Sequence, residues 1–114
     1  MAKRIERVNQ LLKEEIDKII LKELEFPKDI FVAITNVEST PNLQQAKVFV
    51  SAIPDNRIKD VLKILNGRVF EIQQIINKRL NMRPVPRINF VEDKEAVEAG
   101  RIEELLEQIK KEER

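Results

Sequence analysis

Between Arg4 and Glu25 the apolar residues Ile5, Val8, Leu12, Ile16 and Ile19, joined by Leu11, Ile20 and Leu24, recur at three- and four-residue steps. That repeat belongs to a helix with one apolar face. Phe26-Pro27 ends it, since proline lacks the N–H that the next helical turn needs. The stripe is too wide and too short for a coiled-coil seam, so it must pack on something flat. The next two stretches supply it. Residues 30–37 and 46–53 are rich in β-branched and aromatic side chains, and Ser39-Thr40-Pro41-Asn42 between them is a turn cluster, which reads as an antiparallel hairpin.

The helical period then returns. Pro54-Asp55-Asn56 offers proline and capping residues ahead of Ile58, Val61, Leu62 and Leu65, and the stripe continues through Val69, Ile72, Ile76 and Leu80. Asn66-Gly67 interrupts it, where glycine costs about 1 kcal/mol relative to alanine. Both flanks keep the helical step, so the pair predicts a kink or a tight helix-helix turn rather than a hairpin. A helix starting there presents unpaired N–H groups beside Arg68, a seat for phosphate. Asn81-Met82-Arg83-Pro84-Val85-Pro86 cannot stay helical, and Arg87–Glu92 alternates as a third strand. Ile102, Leu105, Leu106 and Ile109 predict a last helix after Gly100. The reading is one α+β domain over 1–114, with a core over about 1–92 and an acidic C-terminal helix over 93–114.

Several chemistries are excluded or weakened by what the chain lacks. Without Cys or His it has neither thiol chemistry nor the usual zinc ligands and neutral-pH proton shuttle. Gly67 and Gly100 are its only glycines, too few for a Rossmann fingerprint or a Walker loop. Ser39 and Ser51 have no activating base, and Glu92, Asp93, Glu95 and Glu98 are more simply helix-capping and solvated acids than Mg²⁺ ligands. No enzyme, metal or cofactor is therefore expected. The charged N-terminus is no secretory signal, and the longest apolar run, Ile30 to Ile34, spans no membrane. The expectation is a cytoplasmic protein, monomeric when free.

The 21 basic and 20 acidic residues nearly cancel, but not locally. Residues 57–87 carry eight cations, Arg57, Lys59, Lys63, Arg68, Lys78, Arg79, Arg83 and Arg87, against Asp60 and Glu71 alone, whereas residues 88–114 carry nine anions against five cations. An excess of that size points to an anionic partner.

The helix-strand-strand-helix-kink-helix-strand order resembles the type II KH fold. Arg4-Ile5-Glu6-Arg7-Val8-Asn9-Gln10-Leu11-Leu12, Ala46-Lys47-Val48-Phe49-Val50, Arg79-Leu80-Asn81-Met82-Arg83-Pro84-Val85-Pro86-Arg87-Ile88-Asn89-Phe90 and Gly100-Arg101-Ile102-Glu103-Glu104-Leu105-Leu106 resemble, in order and spacing, the landmarks of the bacterial ribosome-binding factor A family. The resemblance covers almost the whole chain. It implies a type II KH-like α+β domain with a three-stranded mixed sheet. It further implies a cold-shock-associated assembly factor that binds the immature 30S subunit and its 16S rRNA and promotes late maturation, including 5′ end processing, without catalysis. The family's Ala-x-Gly kink matches Leu65-Asn66-Gly67, with leucine in place of the alanine.

With five Phe, most of them assigned to the core, and no Trp or Tyr, stacking platforms are scarce, and recognition through phosphate and shape is expected. The candidate RNA-binding residues are Lys47, Lys63, Asn66, Gly67, Arg68, Lys78, Arg79, Arg83 and Arg87, with Lys3, Arg4 and Arg7 as a secondary group. Arg57 and Lys59, near Asp60, are read as surface ion pairs. The rival reading is a protein adaptor or dimerisation module built on the first or the last helix.

Overall fold

The computed structural model describes residues 2–95. The last helix expected over 102–109 lies outside them. The amphipathic stripe forms α1, Ala2–Glu23. Two strands follow, β1 (Phe31–Ser39) and β2 (Gln45–Ile53), then a short 3-10 turn over Asp55–Arg57, α2 (Ile58–Gly67), α3 (Val69–Arg79) and β3 (Arg87–Glu92). Pro54-Asp55-Asn56 forms that turn rather than capping α2, and no side chain caps either element.

The sheet is mixed, in the order β1-β2-β3. β1 pairs antiparallel with β2, and β2 pairs parallel with β3 from Gln45↔Arg87 to Val50↔Glu92. A parallel neighbour needs a crossover, and α2 with α3 supplies it. The register slips between Ile34 and Asn36, where Thr35 is the extra residue of a bulge. Its hydroxyl donates to the buried Asp93 carboxylate, tying the bulge to the residue after β3.

The two-residue period decides which face is sealed. Val37, Ala46, Val48, Val50, Ile88 and Phe90 point into one core with Leu12, Ile16 and Ile19 of α1, Val61 and Leu65 of α2, and Ile72 and Ile76 of α3. Gln45, Lys47, Arg87 and Asn89 alternate with them and are exposed. The helices thus cover one side of the sheet, and the end of the other side where β2 and β3 begin is polar and open.

The break between α2 and α3 falls at Arg68, one residue later than expected. Its φ of −121° and ψ of 14° leave the helical region, while its N–H still donates to the Leu65 carbonyl (3.1 Å) and its carbonyl accepts from Ile72 N–H (3.1 Å). Gly67 is the last residue of α2, its φ is not left-handed, and a Cβ there would meet nothing within 4 Å. Neither backbone conformation nor packing requires glycine at this bend.

Four polar side chains tie the elements together. Asn9 Oδ1 on α1 accepts from both the backbone N–H (2.9 Å) and the hydroxyl (2.6 Å) of Ser39 at the end of β1. Arg68 donates to the Glu23 carbonyl (2.8 Å), and Arg79 pairs with Glu15 (3.4 Å), so α3 runs antiparallel to α1. Gln73 uses both ends of its amide: Nε2 donates to the Pro86 carbonyl (3.1 Å) and Oε1 accepts from Ile88 N–H (2.9 Å). That clamp seats the start of β3 on α3. Gln73→Ala leaves a half-buried carbonyl and N–H without partners and is expected to lower stability by about 1–3 kcal/mol. Denaturant unfolding checks the loss, and faster exchange of the Ile88 amide checks its location.

Candidate nucleic-acid interface

Four shallow depressions run together around one end of the molecule, each sharing residues with the next. The largest, about 660 Å³, lies along the end of α3 and the segment after it, lined by Asn77, Lys78, Met82 and Arg83 among others. Met82 and Arg83 also line a second, which reaches Arg4 of α1 and Pro41 and Asn42 of the β1-β2 turn. That turn continues through Thr40 and Gln45 into the last, on the open face of the sheet, where Lys47 and Arg87 project beside Ser39 and Asn89. Among the described residues five cations, Arg4, Lys47, Lys78, Arg83 and Arg87, line this continuous band, with Glu38 the one carboxylate.

Local rules explain why the cations stand there. The proline-bounded run 81–86 has no helical or strand ladder to join, and it holds Arg83 exposed, with a cis Arg83–Pro84 bond. Lys47 and Arg87 are outward residues of parallel neighbours, two positions apart in register. The first turn of α1 carries Lys3 and Arg4 and no acid, so cations sit at the positive end of a helix dipole. That arrangement is unfavourable within the chain and is relieved by an external anion. None of these seven residues, Lys3, Arg4, Arg7, Lys47, Lys78, Arg83 and Arg87, forms an ion pair among the described residues.

The structure divides the residues singled out from the sequence. Lys47, Lys78, Arg83 and Arg87 come together, and Arg4, expected only as a secondary contact, joins them; Lys3 and Arg7 are exposed on the adjoining turns of α1. Arg68 lies at the opposite end of α3, whose 11 residues place it about 16 Å away along the helix axis, and Lys63, Asn66 and Gly67 belong to α2 before it. The bend itself is open, with Asn66 and Gly67 exposed. Arg68 and Arg79 are surface side chains engaged by bonds within the chain: Arg68 bonds Glu71 (2.7 Å) as well as the Glu23 carbonyl, and Arg79 reaches Glu15. Arg57 is bound by Asp60 (2.9 Å) and Asp29 (3.1 Å), which hold its pKa above the ordinary value, the Asp60 hydrogen bond being the main cause. Lys59 forms no such pair among the described residues.

Two contributions escape a reading of the sequence. The β1-β2 turn, residues 40–44, bridges the cation-bearing depressions, and nothing in its composition announces that. The phenylalanines are also less buried than expected: only Phe90 is fully so, Phe26 and Phe49 are half-buried, Phe31 lies at the surface and Phe70 is 74% exposed. Phe70 is legible in retrospect, because it falls off the stripe of Val69, Ile72 and Ile76. Among the described residues no group of Asp and Glu is placed to hold a metal ion, and no helix is long and apolar enough to cross a membrane.

A helix laid over a hairpin, a broken-helix crossover and a third strand parallel to the second define a KH-like α+β domain, here with a cationic band at one end. The model of the ribosome-binding factor A family matches residues 4–106. The ribosome-binding factor A of Thermodesulfovibrio yellowstonii is 37% identical over 109 residues, covering 96% of this chain and 92% of the relative. The chain belongs to that family. The crystal structure of ribosome-binding factor A from Thermus thermophilus superposes with a TM-score of 0.59 at 22% identity, covering 80% of this chain and 92% of that one. A Thermus thermophilus homology model fitted into the cryo-EM map of a 30S-RbfA complex superposes at 0.58, with 22% identity and coverage of 81% and 93%.

The two classes of arginine should separate on substitution. Arg68→Ala removes a link between α1 and α3 and is expected to lower stability by about 1 kcal/mol. Arg83 is exposed and has no ion-pair partner among the described residues, so Arg83→Ala should leave the unfolding midpoint unchanged; matched thermal melts of the two variants check this.

Proposed function

We propose that this chain binds the immature 30S ribosomal subunit through phosphates of its 16S rRNA and promotes late maturation of the subunit, including processing of the 5′ end of that RNA. The reading is supported chiefly by the continuous band of Arg4, Lys47, Lys78, Arg83 and Arg87, lined by a single carboxylate among the described residues, a surface suited to tracking a phosphate backbone. Membership of the ribosome-binding factor A family and the likeness to a chain fitted into a 30S-RbfA map agree with it. The role is one of binding, without a catalytic group. Of the adaptor alternative, the version built on α1 loses its surface, because Val8, Leu12, Ile16 and Ile19 are already buried in the core.

Two measurements test the reading. With four of these cations on phosphates, log affinity for small subunits falls against log salt with a slope of about −3 to −4, whereas a flat response removes the electrostatic basis. Lys47→Glu combined with Arg83→Glu is expected to abolish co-sedimentation with immature subunits while the circular dichroism spectrum is retained. Co-sedimentation that persists in this variant, or that survives nuclease treatment, sinks the proposal.

A further inference from the structure

The depression shared by the start of α1, the β1-β2 turn and the segment after α3 has a mostly apolar lining and a volume of about 350 Å³. Ile5 and Met82, both half-buried, and the buried Leu43 supply apolar walls. Arg4 and Arg83 stand in the same lining, and neither forms an ion pair among the described residues. The turn fixes how the last polar group, Asn42, is presented. Its Oδ1 accepts from the Gln44 N–H (3.2 Å) and from the Thr40 hydroxyl (2.6 Å), which sets the orientation of the amide, and its Nδ2 donates to no acceptor among the described residues. Next to it Leu43 sits in the left-handed region at φ 57°, which its Cβ disfavours, held by its N–H on the Thr40 carbonyl (2.8 Å) and by burial of its side chain. Backbone strain of this kind gathers where a loop is shaped for a ligand.

We propose that this depression takes the base of one unpaired nucleotide: Ile5, Leu43 and Met82 lie against the ring, Asn42 Nδ2 donates to a carbonyl or ring nitrogen on the edge of the base, and Arg4 and Arg83 take the flanking phosphates. This rests on the reading of the chain as a binder of ribosomal RNA, and it adds a base contact to a band otherwise suited to phosphates alone. The chemistry favours a base over a side chain of a protein partner. A free amide donor and two uncompensated guanidinium groups around an apolar floor call for a flat apolar face with an acceptor on its edge and an anion to either side, and a nucleotide within a strand carries all of these. An apolar side chain carries only the first. A base paired inside a stem has its faces and its pairing edge occupied, so the contact separates a bulge or loop from a continuous duplex.

The test measures binding of the full chain and of its Asn42→Asp and Met82→Ala variants, with folding checked by circular dichroism, to three RNA hairpins that share one stem. The first carries a single bulged uridine, the second an abasic residue in the same bulge, and the third no bulge. The unsubstituted chain is expected to bind the uridine bulge about tenfold more tightly than the abasic one, and the abasic and unbulged stems alike. Asn42→Asp keeps the oxygen that Thr40 and Gln44 use and puts an acceptor in place of the donor, so the preference should fall to about twofold or less, and Met82→Ala should lower it in the same direction. The two bulged RNAs carry equal charge, so their ratio cancels the general repulsion of the added carboxylate. Equal affinity of the unsubstituted chain for the uridine and abasic bulges, or a preference that Asn42→Asp leaves intact, overturns the proposal. Loss of immature-subunit binding by folded Met82→Ala with an unchanged ratio on the hairpins also overturns it, by assigning the depression to a protein side chain. The Lys47→Glu/Arg83→Glu variant separates this outcome from the fate of the band. If the two bulges bind alike while that variant loses the subunit, the base pocket fails and the band stands. If Asn42→Asp removes the preference while the charge-reversed variant keeps the subunit, the band fails and the base pocket stands.

Discussion

The sealing of a single side of the sheet organises everything else in this molecule. Three strands with a two-residue period have two faces, and the chain has enough apolar stripes to cover one. Leu12, Ile16 and Ile19 from α1, Val61 and Leu65 from α2, and Ile72 and Ile76 from α3 all converge on Val48, Val50, Ile88 and Phe90. Apolar burial is non-directional, so it holds the layers together but does not choose their register. That choice falls to directional bonds at the margins: Asn9 to Ser39, Arg68 to the α1 terminus, and Gln73 to both sides of the β3 entry. The uncovered side is then available for Lys47 and Arg87, which no core requirement places and which form no ion pair among the described residues.

Helices and strands were largely legible because each depends on local pattern. The third strand runs over Arg87–Glu92 as the alternation indicates, and the hairpin turns within the cluster of Ser, Thr, Pro and Asn. The bend was legible in kind and misplaced by one residue, because glycine is the usual sign of a break while here Arg68 makes it, held by partners on α1 and α3.

The candidate surface was legible in composition but not in arrangement. Counting charge along residues 57–87 finds the right cations and makes them one group. A rigid helix between Arg68 and Arg79 keeps its ends apart, and α1, antiparallel to α3, supplies Glu15 and the Glu23 carbonyl to exactly those two arginines. Such pairings join positions 64 and 45 residues apart in the chain, and no local spacing encodes them. The same antiparallel packing brings Arg4, from the far end of the sequence, to the depression that holds Arg83.

The parallel pairing of β2 with β3 carries a consequence for how the molecule acquires its surface during synthesis. Lys47 lies in a hairpin that can close as soon as its own residues are available, whereas Arg87 reaches it only after the intervening helices have been made and have swung the chain back to the same end of the sheet. A nascent chain therefore exposes half of its positive face early and completes it last, so that an electrostatic partner meets the finished surface only on a chain whose interior has already been assembled.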